Sequence, residues 1–271
     1  MKPTITAIQL APILASLLFG VLCALLISTF PAQMVEITPF PEGPGSVGNA
    51  AFFVVLVGFG AFLLYLLLKR KNQRLISWIT GFALIAAVFM LSVIYFAAVF
   101  SLFPFPGADY LPVILPFFTA AFAYYAIFRL HNAACDVAVL CIGGALGAFL
   151  GASIQTLSTV LILVFLAVYD AFAVYRGPVG KIARSGLDQL RGLSFSFKEV
   201  QMGLGDLTFY SMLAGHMLLN FGAASTLASM LGILLGCLLS FRMLERKGMF
   251  PGLPFPIILG LAAGFLASMI S

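Results

Sequence analysis

Long apolar runs, each near the length of a membrane crossing, alternate with short polar breaks along almost the whole chain. An α-helix crosses the roughly 30 Å hydrocarbon core in about 20 residues. By that measure the pattern predicts nine transmembrane helices, over about residues 7–30, 50–68, 75–100, 111–128, 135–150, 154–175, 203–221, 223–241 and 251–270. The connections are mostly brief. A Pro/Gly-rich loop covers Pro31 to Asn49, and a tight Pro-containing turn covers Phe103 to Asp109. The longest polar stretch, 176–201, has two parts. Lys181 to Arg191 mixes Ile182, Leu187 and Leu190 with charges, which predicts a short interfacial helix. Leu193, Phe195 and Phe197 then alternate with polar residues, the period of a strand. No internal repeat is visible. The pattern describes an all-α polytopic membrane protein, a single membrane-embedded domain over 1–271.

Composition agrees with lipid as the solvent. The 271 residues are 62% hydrophobic and 8% charged, against about 25% charged in soluble domains. No soluble domain fits between the spans. The first span is too long for a signal peptide and lacks an obvious small-residue cleavage site. The net charge of +5 does not indicate nucleic acid, because the basic residues sit in separate short segments. With nine spans, all 14 Lys and Arg fall on one side of the membrane: Lys2; Lys69 to Arg74; Arg129; Arg176 to Lys198; and Arg242 to Lys247. The positive-inside rule then puts the N-terminus in the cytoplasm and the C-terminus outside. Cys23, Cys135, Cys141 and Cys237 lie in or beside apolar runs without a Cys-x-x-Cys pair, as inert packing thiols do. With His131 and His216 far apart, no zinc-ligand set is visible, and no metal or cofactor is implied.

Two carboxylates break the apolar pattern. Asp170 lies six residues before Arg176, roughly 9 Å of helix rise from the polar edge of the sixth span. Asp206 lies just inside the seventh, behind Gly203-Leu204-Gly205. Ionisable groups inside a membrane are costly and mark function. Consecutive helices joined on the cytoplasmic side are expected antiparallel neighbours, so the two acids can meet at matched depth. They would then share a proton or bind a cation. One use is acid–base hydrolysis, with one carboxylate as base toward a water and the other as acid toward a carbonyl. The other is an ion- or proton-coupled membrane carrier. Gly203 and Gly205 suit both, since a missing Cβ permits either close backbone approach or φ > 0.

Near the C-terminus, Ile257 to Ile270 is 14 residues, about 21 Å of helix, which is too short to cross. Pro251 to Pro256 therefore belongs at membrane depth, where irregular backbone is tolerated only in protein or beside a watery cavity. The glycines of the fifth span (Gly143, Gly144, Gly147, Gly151) point to close helix packing. His216 lies about 15 Å along the helix from Asp206 and is read, with Asn220, as interhelical polar packing.

Tyr169-Asp170 in one span, Gly203-Leu204-Gly205-Asp206 in the next and Pro251-Gly252-Leu253 before the last resemble the three signatures of the GxGD intramembrane aspartyl proteases. Within that group the chain resembles the presenilin and signal peptide peptidase family, in particular archaeal presenilin homologues. Span count, motif order and spacing class match over the whole chain. The prepilin peptidases also carry GxGD but on a smaller six-span design.

The resemblance implies a presenilin-like fold with Asp170 and Asp206 as the catalytic pair. Tyr169, Gly203, Leu204, Gly205, Pro251, Gly252 and Leu253 would shape the substrate cleft. Gly252 departs from the usual Ala and would loosen that element. The resemblance further implies cleavage of transmembrane-helix proteins or peptides near their cytoplasmic ends, type I substrates being favoured, with a catalytic water and no cofactor. A strand leading to Asp206 would hold the unfolded substrate by β-addition. A homo-oligomer is compatible with this reading, and obligate partner subunits are not implied. The short loops point to the cell membrane of a prokaryote.

Overall fold

The computed structural model describes residues 7–29, 36–69, 73–103, 110–130, 132–176, 192–197, 200–247 and 250–270. Within them the apolar runs are helical. A 3₁₀ turn, Ala7–Leu10, leads into α1 (Ala11–Ser28). Then follow α2 (Gly45–Lys69), α3 (Gln73–Leu102), α4 (Leu111–Phe128), α5 (Asn132–Ser153) and α6 (Thr156–Arg176). After two short strands come α7 (Leu204–Lys247) and α8 (Pro254–Ser268). Seven of the helices, α1 to α7, are long and apolar enough to cross a membrane. The fold is that of an all-helical, multi-pass integral membrane protein.

At 44 residues α7 is too long for one crossing, and it breaks at Gly222, which adopts φ 87° and ψ −177°. Positive φ is open to glycine at little cost, so the chain turns there. The contacts on α8 report the direction. Gly260 lies against both Leu213 and Ile233, and Gly264 against both Met217 and Ser229. These pairs are symmetric about position 223, so the halves of α7 run antiparallel and α8 packs along both.

The centre of the molecule is α7, whose Leu207, Tyr210, Met212, Leu213 and Met217 are almost fully buried. It packs on α5, α8 and α1, and the α5 glycines explain how closely. A Cβ at Gly143 would meet Leu207 Cβ at 2.8 Å, and one at Gly151 would meet Met212 O at 2.6 Å. On another side of α5, a Cβ at Gly144 would reach Ser16 O of α1 at 2.7 Å. The packing reading of these glycines is what the geometry shows. His216 likewise joins elements: Nδ1 lies 2.8 Å from Gly151 O and Nε2 3.1 Å from Thr156 Oγ1.

Outer faces are apolar, as a lipid solvent requires. Phe52, Val55, Leu56, Phe59 and Phe62 of α2 are all exposed. Where α2 meets α6, Asn49 is buried but satisfied: Nδ2 donates to Phe40 O (2.9 Å) and Ser158 Oγ (3.0 Å), and Oδ1 accepts Phe40 N–H (3.0 Å).

Two sequence expectations change in detail. Pro251 to Leu253 is non-helical, but Pro254 opens α8 and Pro256 lies inside its first turn. A proline there forfeits an N–H that has no helical partner anyway. The strand expected from Leu193, Phe195 and Phe197 is present as β1 (Ser194–Phe197), and it has an unforeseen antiparallel partner, β2 (Val200–Gly203). The interfacial helix expected over 181–191 lies outside the described residues.

Candidate active site

Asp206 owes its position to the strand-to-helix junction. β2 pairs Met202 with Phe195 and Gly203 with Ser194, and Leu204 N–H extends the ladder to Leu193 O (2.8 Å). Helix α7 starts at once, so Asp206 is its third residue and the only acid in its first turn. Its carboxylate lies back toward Gly203, with Oδ2 3.8 Å from where a Cβ there would stand, as an acid at this position does in a capping box. Buried Phe195 and Met202 anchor the hairpin to the core.

Asp170 comes from α6, two turns before its end. Its Oδ2 accepts the Leu253 N–H at 3.0 Å. Gly252 also lies on Asp206: a Cβ there would be 3.0 Å from Oδ2 and 3.1 Å from Oδ1. Both carboxyl groups thus converge on the Gly252–Leu253 segment. An alanine methyl at position 252 would press on the Asp206 carboxylate by a few tenths of an ångström.

Gly203 and Gly205 differ from the packing glycines. Neither has positive φ, which removes the turn explanation. A Cβ at Gly205 would meet nothing nearer than Phe209 at 4.0 Å, and one at Gly203 nothing nearer than Asp206 Oδ2 at 3.8 Å. The chain itself does not need these positions empty. The space they leave beside Asp206 is open.

Of the other expected cleft residues, Pro251 and Leu253 are buried at the segment. Leu204 packs toward Gly143 of α5. Tyr169 is not brought to the cluster, because its hydroxyl lies near Gly58 of α2, 3.3 Å from where a Cβ would stand. A small cavity of about 80 Å³ adjoins Asp206, lined by Tyr210, Cys237, Ser240 and Phe250 among others. The larger cavity, about 440 Å³ between α1, α3, α4 and α5, is apolar and has no carboxylate in its lining. Tyr210, which sequence reasoning passed over, donates its hydroxyl to Gly252 O at 2.8 Å. Its spacing was the available signal, since a residue four after Asp206 shares its helix face. Among the described residues no group of three or more His, Cys, Asp or Glu side chains is placed to hold a metal ion.

The sequence model of the signal-peptide peptidase, presenilin aspartyl protease family matches residues 14–188. The chain belongs to that family. The match includes Tyr169 and Asp170 and ends before the Gly203–Asp206 motif. No curated protein matches the sequence. Two solved structures of a presenilin family intramembrane aspartate protease carry the fold similarity across the rest. The one in a C222 space group has a TM-score of 0.66 at 21% identity, covering 96% of this chain and 100% of that one. The one in P2 has a TM-score of 0.67 at 24% identity, covering 97% and 98%.

Proposed function

We propose that this presenilin-family chain is an intramembrane aspartyl endopeptidase with Asp170 and Asp206 as its catalytic pair. The observation that carries the reading is the convergence of both carboxyl groups on the Gly252–Leu253 segment, beside the open space over Gly203 and Gly205. Two carboxyl groups sharing one site do not both ionise, so one keeps a proton. The ionised group takes a proton from water as the water oxygen attacks the scissile carbonyl. The protonated group gives its proton to the carbonyl oxygen. When the tetrahedral intermediate collapses, the C–N bond breaks, the departing amine takes the proton that the base removed from water, and the other carboxylate recovers its proton from a hydroxyl of the intermediate. Water is the nucleophile, and neither metal nor organic cofactor enters.

The substrate is a transmembrane helix whose end unfolds to an extended strand. The β1–β2 hairpin leads directly to Asp206 and supports recognition by strand addition, with Pro251 to Leu253 flanking the cleft. The break at Gly222 supports counting α7 as two crossings, and with α8 this makes nine. The one-sided distribution of Lys and Arg supports a cytoplasmic N-terminus, the short loops support a prokaryotic cell membrane, and this topology together with the presenilin resemblance supports cleavage of type I segments near their cytoplasmic ends.

The test is incubation of purified protein with a labelled transmembrane substrate. Wild type is expected to cleave, and Asp170→Ala and Asp206→Ala to lose activity by on the order of 10³-fold or more. Absence of cleavage across many substrates, with proton-driven uptake into liposomes, would replace the protease by a carrier.

A further inference from the structure

We propose that Tyr210 is a positioning residue that aligns Asp170 through the Gly252–Leu253 peptide group. Two hydrogen bonds carry the inference, because they meet on one peptide unit. The Tyr210 hydroxyl donates to Gly252 O at 2.8 Å, and Leu253 N–H donates to Asp170 Oδ2 at 3.0 Å. Gly252 C=O and Leu253 N–H belong to the same peptide bond, which is trans like every described peptide. In a trans peptide these groups point in opposite directions. The plane therefore spans the gap between α7 and α6, held by Tyr210 on one side and Asp170 on the other.

Tyr210 is 1% exposed, and it lines the same small cavity as Cys237 beside Asp206. A hydroxyl donating to a carbonyl polarises the amide and strengthens the N–H at its other end, as in any chain of hydrogen bonds. The result is one line from Tyr210 through the peptide to Asp170. Asp206, one turn before Tyr210, rests against the same Gly252. Rotation of this plane about its Cα–Cα axis would swing away the N–H that holds Asp170. Tyr210 itself need not touch substrate.

The inference rests on the protease reading, and Tyr210→Phe tests it because the ring that packs the core is kept. The expected result is a kcat lower by on the order of tenfold, with KM within about twofold and thermal stability close to wild type. Binding of a hydroxyl-bearing transition-state analogue weakens by the same factor as kcat. In hydrogen exchange, the amides of the 250–256 peptide exchange faster while those of α5 do not. A wild-type enzyme that needs both aspartates, with Tyr210→Phe matching it in kcat and in exchange, overturns the clamp and leaves the protease reading intact. If the wild type cleaves nothing, exchange still decides: unchanged protection of 250–256 in Tyr210→Phe overturns the clamp, and faster exchange upholds it.

Discussion

A glycine inside a membrane helix can serve two opposite ends, and the space around its missing side chain distinguishes them. At Gly151 a methyl group would strike Met212 O at 2.6 Å and His216 N at 2.9 Å, so the residue exists for the chain's own packing. At Gly205 the first atom met is 4.0 Å away, so the chain has no packing need for glycine there. Gly205→Ala is therefore expected to leave stability unchanged or raise it by up to about 1 kcal/mol, since alanine is the better helix former. The same methyl intrudes where substrate would lie beside Asp206, and cleavage should fall by roughly tenfold or more. Thermal unfolding and cleavage assays on one preparation check both halves. Equal cleavage by wild type and variant would show that the space is not used. At Gly252 the neighbour is Asp206 itself, and for that reason replacement of the usual alanine could not be interpreted from composition alone.

At the scale of elements, the decisive interface is α5 against α7. Gly143, Gly147 and Gly151 make one face of α5 flat enough for the α7 backbone to lie directly on it, and α7 carries Asp206 at its first turn. Gly147→Leu forces the helices apart near Thr208 and Ser211. The expected cost is about 1–3 kcal/mol, with side-chain overlap setting the upper end. Reduced thermal stability in detergent, and loss of cleavage beyond the loss of folded protein, would register the shift. A variant as stable and active as wild type would show that this contact does not position α7. The hairpin acts at the other end of the same element. Pairing of Met202 with Phe195 and of Gly203 with Ser194 brings the chain to α7 in extended form. The alternation of Leu193, Phe195 and Phe197 announced β1. Val200 and Met202 alternate with Gln201 and Gly203 in the same way, but four residues are too few for that period to announce a strand, and pairing with β1 makes β2 one.

For the whole molecule, orientation is a question of charge rather than of packing. All the Lys and Arg lie in segments that nine crossings would put on one side. A C-terminal alkaline phosphatase fusion is expected to be active in the outer compartment, and a cytoplasm-dependent reporter at the same position is expected to be silent. The reverse pattern would invert the proposed topology and with it the cleavage of type I segments near their cytoplasmic ends.

Hydrophobic run length was enough to identify a membrane protein, to locate its helices and to mark Asp170 and Asp206 as acids out of place in lipid. These are local properties of transfer free energy, written residue by residue. The order of Tyr169-Asp170, the Gly203–Asp206 motif and Pro251–Leu253 was enough for the family. Only the tertiary structure decided which groups meet. Residues 170, 206, 210 and 252 share a few ångströms because α5 flattens one side of α7, Gly222 folds α7 back, and α8 lies along both halves. Such contacts depend on the packing of distant segments: the spacing of Tyr210 puts it on the helix face of Asp206, but only the fold brings Gly252 O to its hydroxyl.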